Sequence, residues 1–315
     1  ELLREAMGED ALIDERILGE SGRPCLDLTA GVIDTQRTWA DSNEFVPEMV
    51  SRSGLRWYKN RSVFNYYSDT KAVHGLEPAE LQSLITLNFL TSGRLDLATS
   101  YSLFTPEITH IVSRSYPHYP DPISARPLDA FTGVTDPQVY ELELTPDWRQ
   151  VTFYNTGGER AEISTALSGD RHENAIGLDR RDSYHAYEFW TDTYIGKLRG
   201  RDRLKWELDP GHCAMISLRR ALDHPQVLST DRHLLQGWVD LENVGWDAAT
   251  KTLKGTAKMI GGETFRIVLA GNGTKLNEIS VDRGQAKLEP HPASDDLHVL
   301  TIDASETTDV RWSVR

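Results

Sequence analysis

Over roughly the first 115 residues, short apolar runs alternate with helical stretches, which is the pattern of β/α units around a parallel sheet. Residues 2–7 read as the end of a helix. Strands are expected over 23–28, 35–40 and 61–67, with a short one at 95–97. A helix is expected over 45–50. Glu77-Pro78 opens a longer one through Leu81, Leu84, Ile85 and Leu90, with proline in the first turn, where its missing donor costs nothing. This makes about four β/α units. A closed (β/α)8 barrel takes eight strands and about 250 residues, so the pattern predicts the second half of such a barrel. The other half is then expected as a partner, either another segment or a separate chain.

After Pro117, Pro120 and Pro122 the pattern changes. Residues 139–144, 161–163 and 204–208 alternate polar and apolar positions, as antiparallel strands with one buried face do. Turn residues separate them, as in Asn155-Thr-Gly-Gly158 and Asp209-Pro-Gly211. A second β block follows, with strands expected over 238–241, 251–257, 264–269, 297–302 and 310–314. The predicted organisation is α/β plus all-β: a half barrel over 1–125, an antiparallel β-sandwich over 126–235 and an additional β module over 236–315.

At 315 residues, with 39% hydrophobic and 26% charged positions, the chain can build two or three domains with cores of their own. Its 48 acidic against 34 basic residues give a net charge of -14, which disfavours phosphate backbones and anionic lipid surfaces, so neither nucleic acid nor membrane is expected as a partner. No apolar run approaches a bilayer span, and residues 1–8 read as an amphipathic helix rather than a signal peptide. Cys25 and Cys213 are too few for a disulfide framework. Neither cysteine has metal-ligand spacing, His212 and His233 read as structural, and no metal or cofactor is expected. The sequons Asn60-Arg-Ser62 and Asn272-Gly-Thr274 matter only in a secreted eukaryotic context, and the compartment stays open.

The candidate chemistry lies in Asp34-Thr-Gln-Arg-Thr-Trp-Ala-Asp-Ser-Asn43, an Arg-x-x-x-Asp step at the end of an apolar segment. Asp41 has two readings: a cap for the helix that follows, or an acid/base group at a strand end. Arg37 can neutralise buried carboxylates, and its guanidinium fork also matches vicinal sugar hydroxyls. Trp39 and Trp57 are either core or flat apolar surfaces for a sugar ring.

This run resembles the general-acid strand of the clan D glycoside hydrolases, the α-galactosidase-like families 27 and 36. Tyr187-Glu-Phe-Trp190, residues 210–219 and Pro225-Gln-Val-Leu-Ser-Thr-Asp-Arg-His233 resemble strands of the sandwich that follows the barrel in those enzymes. The resemblance implies a retaining α-glycosidase acting on an oligosaccharide or glycoside. Asp41 would be the acid/base, Arg37 a sugar contact, and Trp39 a further substrate contact. Asp27, beside Cys25, falls where the family places residues that touch the sugar; the plainer reading is a buried strand-end carboxylate. Asp69 matches an aspartate after the seventh strand, which either ties a loop to the rim or touches ligand. Gln36 and Asn43 stand where the family often has an aromatic and a further aspartate. The family nucleophile belongs to a Lys-x-Asp type of motif on the fourth strand, and no such motif occurs here, so it is expected from sequence outside this chain. The alternative is a non-catalytic carbohydrate-binding or scaffold chain.

Overall fold

The computed structural model describes residues 2–15, 29–39, 47–67, 72–91, 95–117 and 124–315. They divide into two compact units. One comprises residues 1–144, 151–179 and 201–214, and the other residues 145–150, 180–200 and 215–315.

In the first unit, helix α1 (Leu2–Met7) leads into strand β1 (Asp14–Glu15), which pairs in parallel with β2 (Thr35–Arg37), itself parallel to β3 (Asn65–Tyr67). Ile13, Ile33, Phe64 and Tyr66 form a small core around these strands. Helix α2 (Pro47–Gly54) lies between β2 and β3 in sequence, and α3 (Pro78–Thr91) follows β3. Ser83 through Leu90 of α3 are all buried, so this is an interior helix rather than an amphipathic surface one. Its start is set locally: the Glu80 carboxylate accepts from the Glu77 N–H at 3.2 Å, and Pro78 follows. Helix α4 (Pro106–Ser113) repeats the device, with Thr105 Oγ1 accepting from the Ile108 N–H and proline next. The antiparallel part contains β4 (Arg126–Pro127) against β5 (Val139–Thr145), and β7 (Ala161–Ala166) against β10 (Arg203–Leu208). Strands β6 (Trp148–Tyr154) and β11 (Cys213–Arg220) have residues in both units.

In the second unit, β8 (Ser183–Glu188) pairs antiparallel with β11 and with β9 (Thr193–Arg199). Two four-stranded antiparallel sheets follow. One has the order β12 (Gln226–Thr230), β15 (Thr264–Ala270), β18 (Ser294–Asp303), β17 (Gln285–His291). The other runs β13 (Leu241–Asp247), β14 (Thr252–Met259), β19 (Thr308–Val314), β16 (Ile279–Val281). Leu253, Ala257 and Met259 of β14 and Val310, Trp312 and Val314 of β19 share one core with Phe265, Ile267, Leu300 and Ile302 of the other sheet. This is sandwich packing with alternating faces. The Trp312 indole fills the space above Gly255, where a Cβ would meet its ring at 2.7 Å.

Several expected elements differ in extent. The partner of β2 is β1, at 14–15, which is too short to show periodicity; the strand expected at 23–28 lies outside the described residues. The strand expected over 61–67 starts only at Asn65, because Arg61 takes a positive φ and the preceding residues turn back on Lys59. Residues 238–240 form a turn, with β13 beginning at Leu241. Strand β17 escaped the pattern because most of its positions are exposed, leaving little apolar alternation. Both sequon asparagines are engaged. Asn60 accepts from the Tyr66 N–H and donates to Ser124 Oγ, and Asn272 is bonded to His185, Gln226 and the His224 carbonyl.

Gly54 closes α2 against Tyr140, whose ring atom Cε1 stands 2.2 Å from where a Cβ would be. Gly54→Ala therefore forces a packed ring to move and should destabilise the protein by about 1–3 kcal/mol. Urea unfolding of the two proteins measures this directly.

Candidate active site

Because β1, β2 and β3 are parallel, their C-terminal ends share one edge, and pairing decides which side chains meet there. Asp14 is in register with Thr35, and Arg37 with Tyr67. Alternation puts Thr35 and Arg37 on the same face. The Asp14 carboxylate accepts from Thr35 Oγ1 at 2.5 Å and from the Tyr67 hydroxyl at 3.0 Å, so one carboxylate ties the three strands together through side chains. Arg37, in the same row as Tyr67, is fully buried, as are Gln36 and Thr38. A buried guanidinium is costly unless its donors are met, so the end of β2 is a polar site built into the interior.

The chain leaving β2 is held on both sides. Thr38 donates its N–H to the Tyr67 carbonyl at 2.8 Å, and its hydroxyl lies 2.7 Å from Ser53 Oγ of α2. Trp39 is half-buried, and the Arg52 guanidinium carbon sits 4.8 Å from its ring centroid. Cation–π attraction therefore orients this indole at the strand end. Trp57 sits in the turn after α2, edge-on to Tyr58. At the opposite edge, where the strands begin, a cavity of about 320 Å³ is lined by Arg4, Asp34, Arg61 and Asn65 among others. Asp34 there accepts from the Ile13 N–H at 2.7 Å and from Arg4 at 2.8 Å. The Ile13 N–H first, and then Arg4, holds its carboxyl below the usual range.

Of the expected site residues, Arg37 and Trp39 are thus adjacent at the end of β2. Asp27, Asp41 and Asp69 lie outside the described residues, as does Cys25. Asp14 was not expected from the pattern; its only signal was the short apolar pair Leu12-Ile13 before it. His233 is fully buried and accepts from the Leu235 N–H through Nδ1, and the Cys213 thiol lies 3.6 Å from Thr86 Oγ1. Among the described residues no group of His, Cys, Asp and Glu could hold a metal ion, and no helix is long and apolar enough to cross a membrane.

No family model and no curated protein sequence matches the chain. Solved structures do. The chain resembles glycoside hydrolases of the α-galactosidase kind. A GH27 β-L-arabinopyranosidase from Geobacillus stearothermophilus matches with 14% identity and a TM-score of 0.47, over 60% of this chain and 46% of that one. The α-galactosidase from Saccharomyces cerevisiae, solved with raffinose, matches with 12% identity and a TM-score of 0.49, over 66% and 65%. The isomalto-dextranase of Arthrobacter globiformis T6, complexed with panose, matches with 12% identity and a TM-score of 0.48, over 99% of this chain and 60% of that one. The chain thus spans about half to two thirds of the length of these proteins.

Two stability predictions follow from the two edges. Asp14→Ala leaves the Thr35 and Tyr67 hydroxyls without their acceptor and should cost about 1–3 kcal/mol by denaturant unfolding. For Asp34, the folded carboxyl titrates below its unfolded value near 4, so its stabilisation is complete above that pH and is lost as pH falls through the lower folded value. Asp34→Asn should therefore lower the urea midpoint at pH 7, and the gap to the unmutated protein should close as the pH drops below about 4.

Proposed function

We propose that the chain is the C-terminal portion of a retaining α-glycoside hydrolase, α-galactosidase-like, comprising half of the catalytic barrel over 1–125, a β-sandwich over 126–235 and a further β module over 236–315. The observation that carries this reading is Arg37, buried at the polar end of a parallel strand, with Asp41 four residues further on in the sequence. In this reading Arg37, Trp39, Asp27 and Asp69 contact the sugar, and Asp41 is the acid/base. The nucleophile comes from sequence outside the chain, in the other half of the barrel.

The chemistry requires two carboxyl groups about 5 Å apart. The nucleophile's carboxylate attacks the anomeric carbon while Asp41 gives its proton to the departing glycosidic oxygen, so a glycosyl ester forms as the glycosidic bond breaks. Asp41, now ionised, takes a proton from water. That water attacks the anomeric carbon, the ester bond breaks, and the sugar leaves with its configuration retained. Starting protonated demands a raised pKa, which burial and a neighbouring anionic nucleophile would supply in the complete barrel.

The test uses the full-length protein. Asp41→Asn keeps the shape and removes the transferable proton, so turnover of an unactivated α-galactoside should fall by about 10² to 10⁴, with a much smaller loss of the first step on an activated aryl glycoside. Azide should restore release from the activated substrate, giving a glycosyl azide of retained configuration. Arg37→Lys should act mainly on KM, because an ammonium cannot reproduce the guanidinium fork. A rate on the unactivated substrate within a few-fold of the unmutated protein would reduce Asp41 to a helix cap and overturn the assignment.

A further inference from the structure

In the second unit, two cavities of about 250 and 240 Å³ adjoin across a shared wall formed by Trp148 and Arg219. The first is lined on its other side by Trp238, the second by His224 and Trp246. Three of the chain's eight tryptophans thus gather at one place, all three half-buried and lining the cavities. Their orientations are fixed. Trp148 donates Nε1–H to Ser217 Oγ at 3.0 Å and meets Trp238 edge-on at 5.4 Å, and Trp246 stacks on His224 with the planes 3° apart.

Arg219 is the unusual member. Its guanidinium carbon lies 3.4 Å from the Trp148 ring centroid, and its one hydrogen bond among the described residues runs from Nη2 to the Gln236 carbonyl at 2.7 Å. Nε is buried with no acceptor, and no carboxylate pairs with the group among the described residues. Burial alone pulls its pKa down to about 9, the mark of a cation held without a counter-charge. The acid in the lining, Asp147, is engaged by Arg220 at 2.9 Å, and Arg220 also reaches Asp182 at 3.8 Å. A guanidinium that lines both cavities with no carboxylate partner among the described residues is a cation that a bound anion would neutralise, and its planar fork matches a carboxylate. The indoles flanking it offer flat apolar faces of the kind that pack against the C–H face of a pyranose.

We propose that the joined cavities bind an acidic oligosaccharide, with a uronate carboxylate on Arg219 and neighbouring pyranose rings against Trp238 and Trp246. The charged lining is Arg219 and Arg220 against Asp147, which Arg220 engages, so the lining favours an anionic ligand. The site is independent of the hydrolase reading, since every residue in it falls within 145–253.

The test titrates the full chain with α-1,4-linked trigalacturonate and with its methyl ester, which keeps the rings and removes the charge, following tryptophan fluorescence and heat. The acid should bind saturably and at least about tenfold more tightly than the ester. Arg219→Gln should abolish that preference while leaving ester binding within about twofold, and Trp246→Ala should weaken both ligands. Thermal melts check that each variant folds. If Arg219→Gln does not fold, Trp246→Ala and the acid-to-ester ratio in the unmutated chain decide the matter. Absence of saturable binding at millimolar trigalacturonate, equal binding of acid and ester, or acetate competing as strongly as trigalacturonate would each overturn the proposal.

Discussion

The first unit depends on the burial of α3 from Ser83 to Leu90. A helical stretch with no solvent face must be packed from every direction, and strand side chains supply much of that packing. The Tyr154 hydroxyl donates to the Ser83 carbonyl at 3.1 Å, the Cys213 thiol lies beside Thr86, and the Tyr140 hydroxyl donates to the Val50 carbonyl of α2. The two phenol rings meet edge to face at 6.1 Å. Burial pushes both hydroxyls well above the ordinary tyrosine value, so they stay protonated donors across any ordinary pH. Each such ring contributes on the order of 1.5–3 kcal/mol by burial, and its hydroxyl avoids the penalty of an unmet buried polar group. The parallel strands with their helices and the antiparallel strands that carry these tyrosines are therefore one cooperative body.

That anchoring sets the conditions at the strand ends. Thr38 is locked to Tyr67 and, through Ser53, to the helix that Tyr140 pins. Arg37 and Trp39 consequently leave β2 from a fixed base, with the Asp14 carboxylate bracing the neighbouring strands. A general acid works only when its distance and direction to the scissile oxygen are held, so a rigid strand end four residues before Asp41 is the kind of support that the proposed chemistry needs.

The second unit uses a different rule. The sheet of β13, β14, β19 and β16 buries one face, whereas β15 buries both, with Ile267 and Leu269 in the shared core and Val268 and Ala270 against Tyr187 and Leu228; the buried carboxylate of Glu188, whose pKa burial raises, is met locally by the Thr191 N–H and hydroxyl and the Met215 N–H. Other buried side chains of this unit also leave a polar atom unmet, Arg232 Nη2 and Trp312 Nε1 among them, but Arg219 has no carboxylate partner among the described residues and lines both cavities, which is why a ligand role is assigned to it and not to the paired surface charges. Exposed ion pairs such as Lys205 with Glu162 contribute little to stability and mark no site.

Much of this was legible in the chain itself. Alternation of polar and apolar positions marked β5, β7 and β10, short runs between turn residues marked β14, β15, β18 and β19, and Glu77-Pro78 marked the start of α3 through its own backbone chemistry. What only the tertiary structure decided is which residues meet across elements. Asp14 joins Thr35 and Tyr67 over separations of 21 and 53 residues, and Trp148 meets Arg219 and Trp238 from distant strands. Strand β1 and the exposed strand β17 left no periodic trace, one being two residues long and the other lacking a continuous buried face. Local patterning records burial, whereas register and packing choose partners, and the chemistry of both candidate sites lies in those partners.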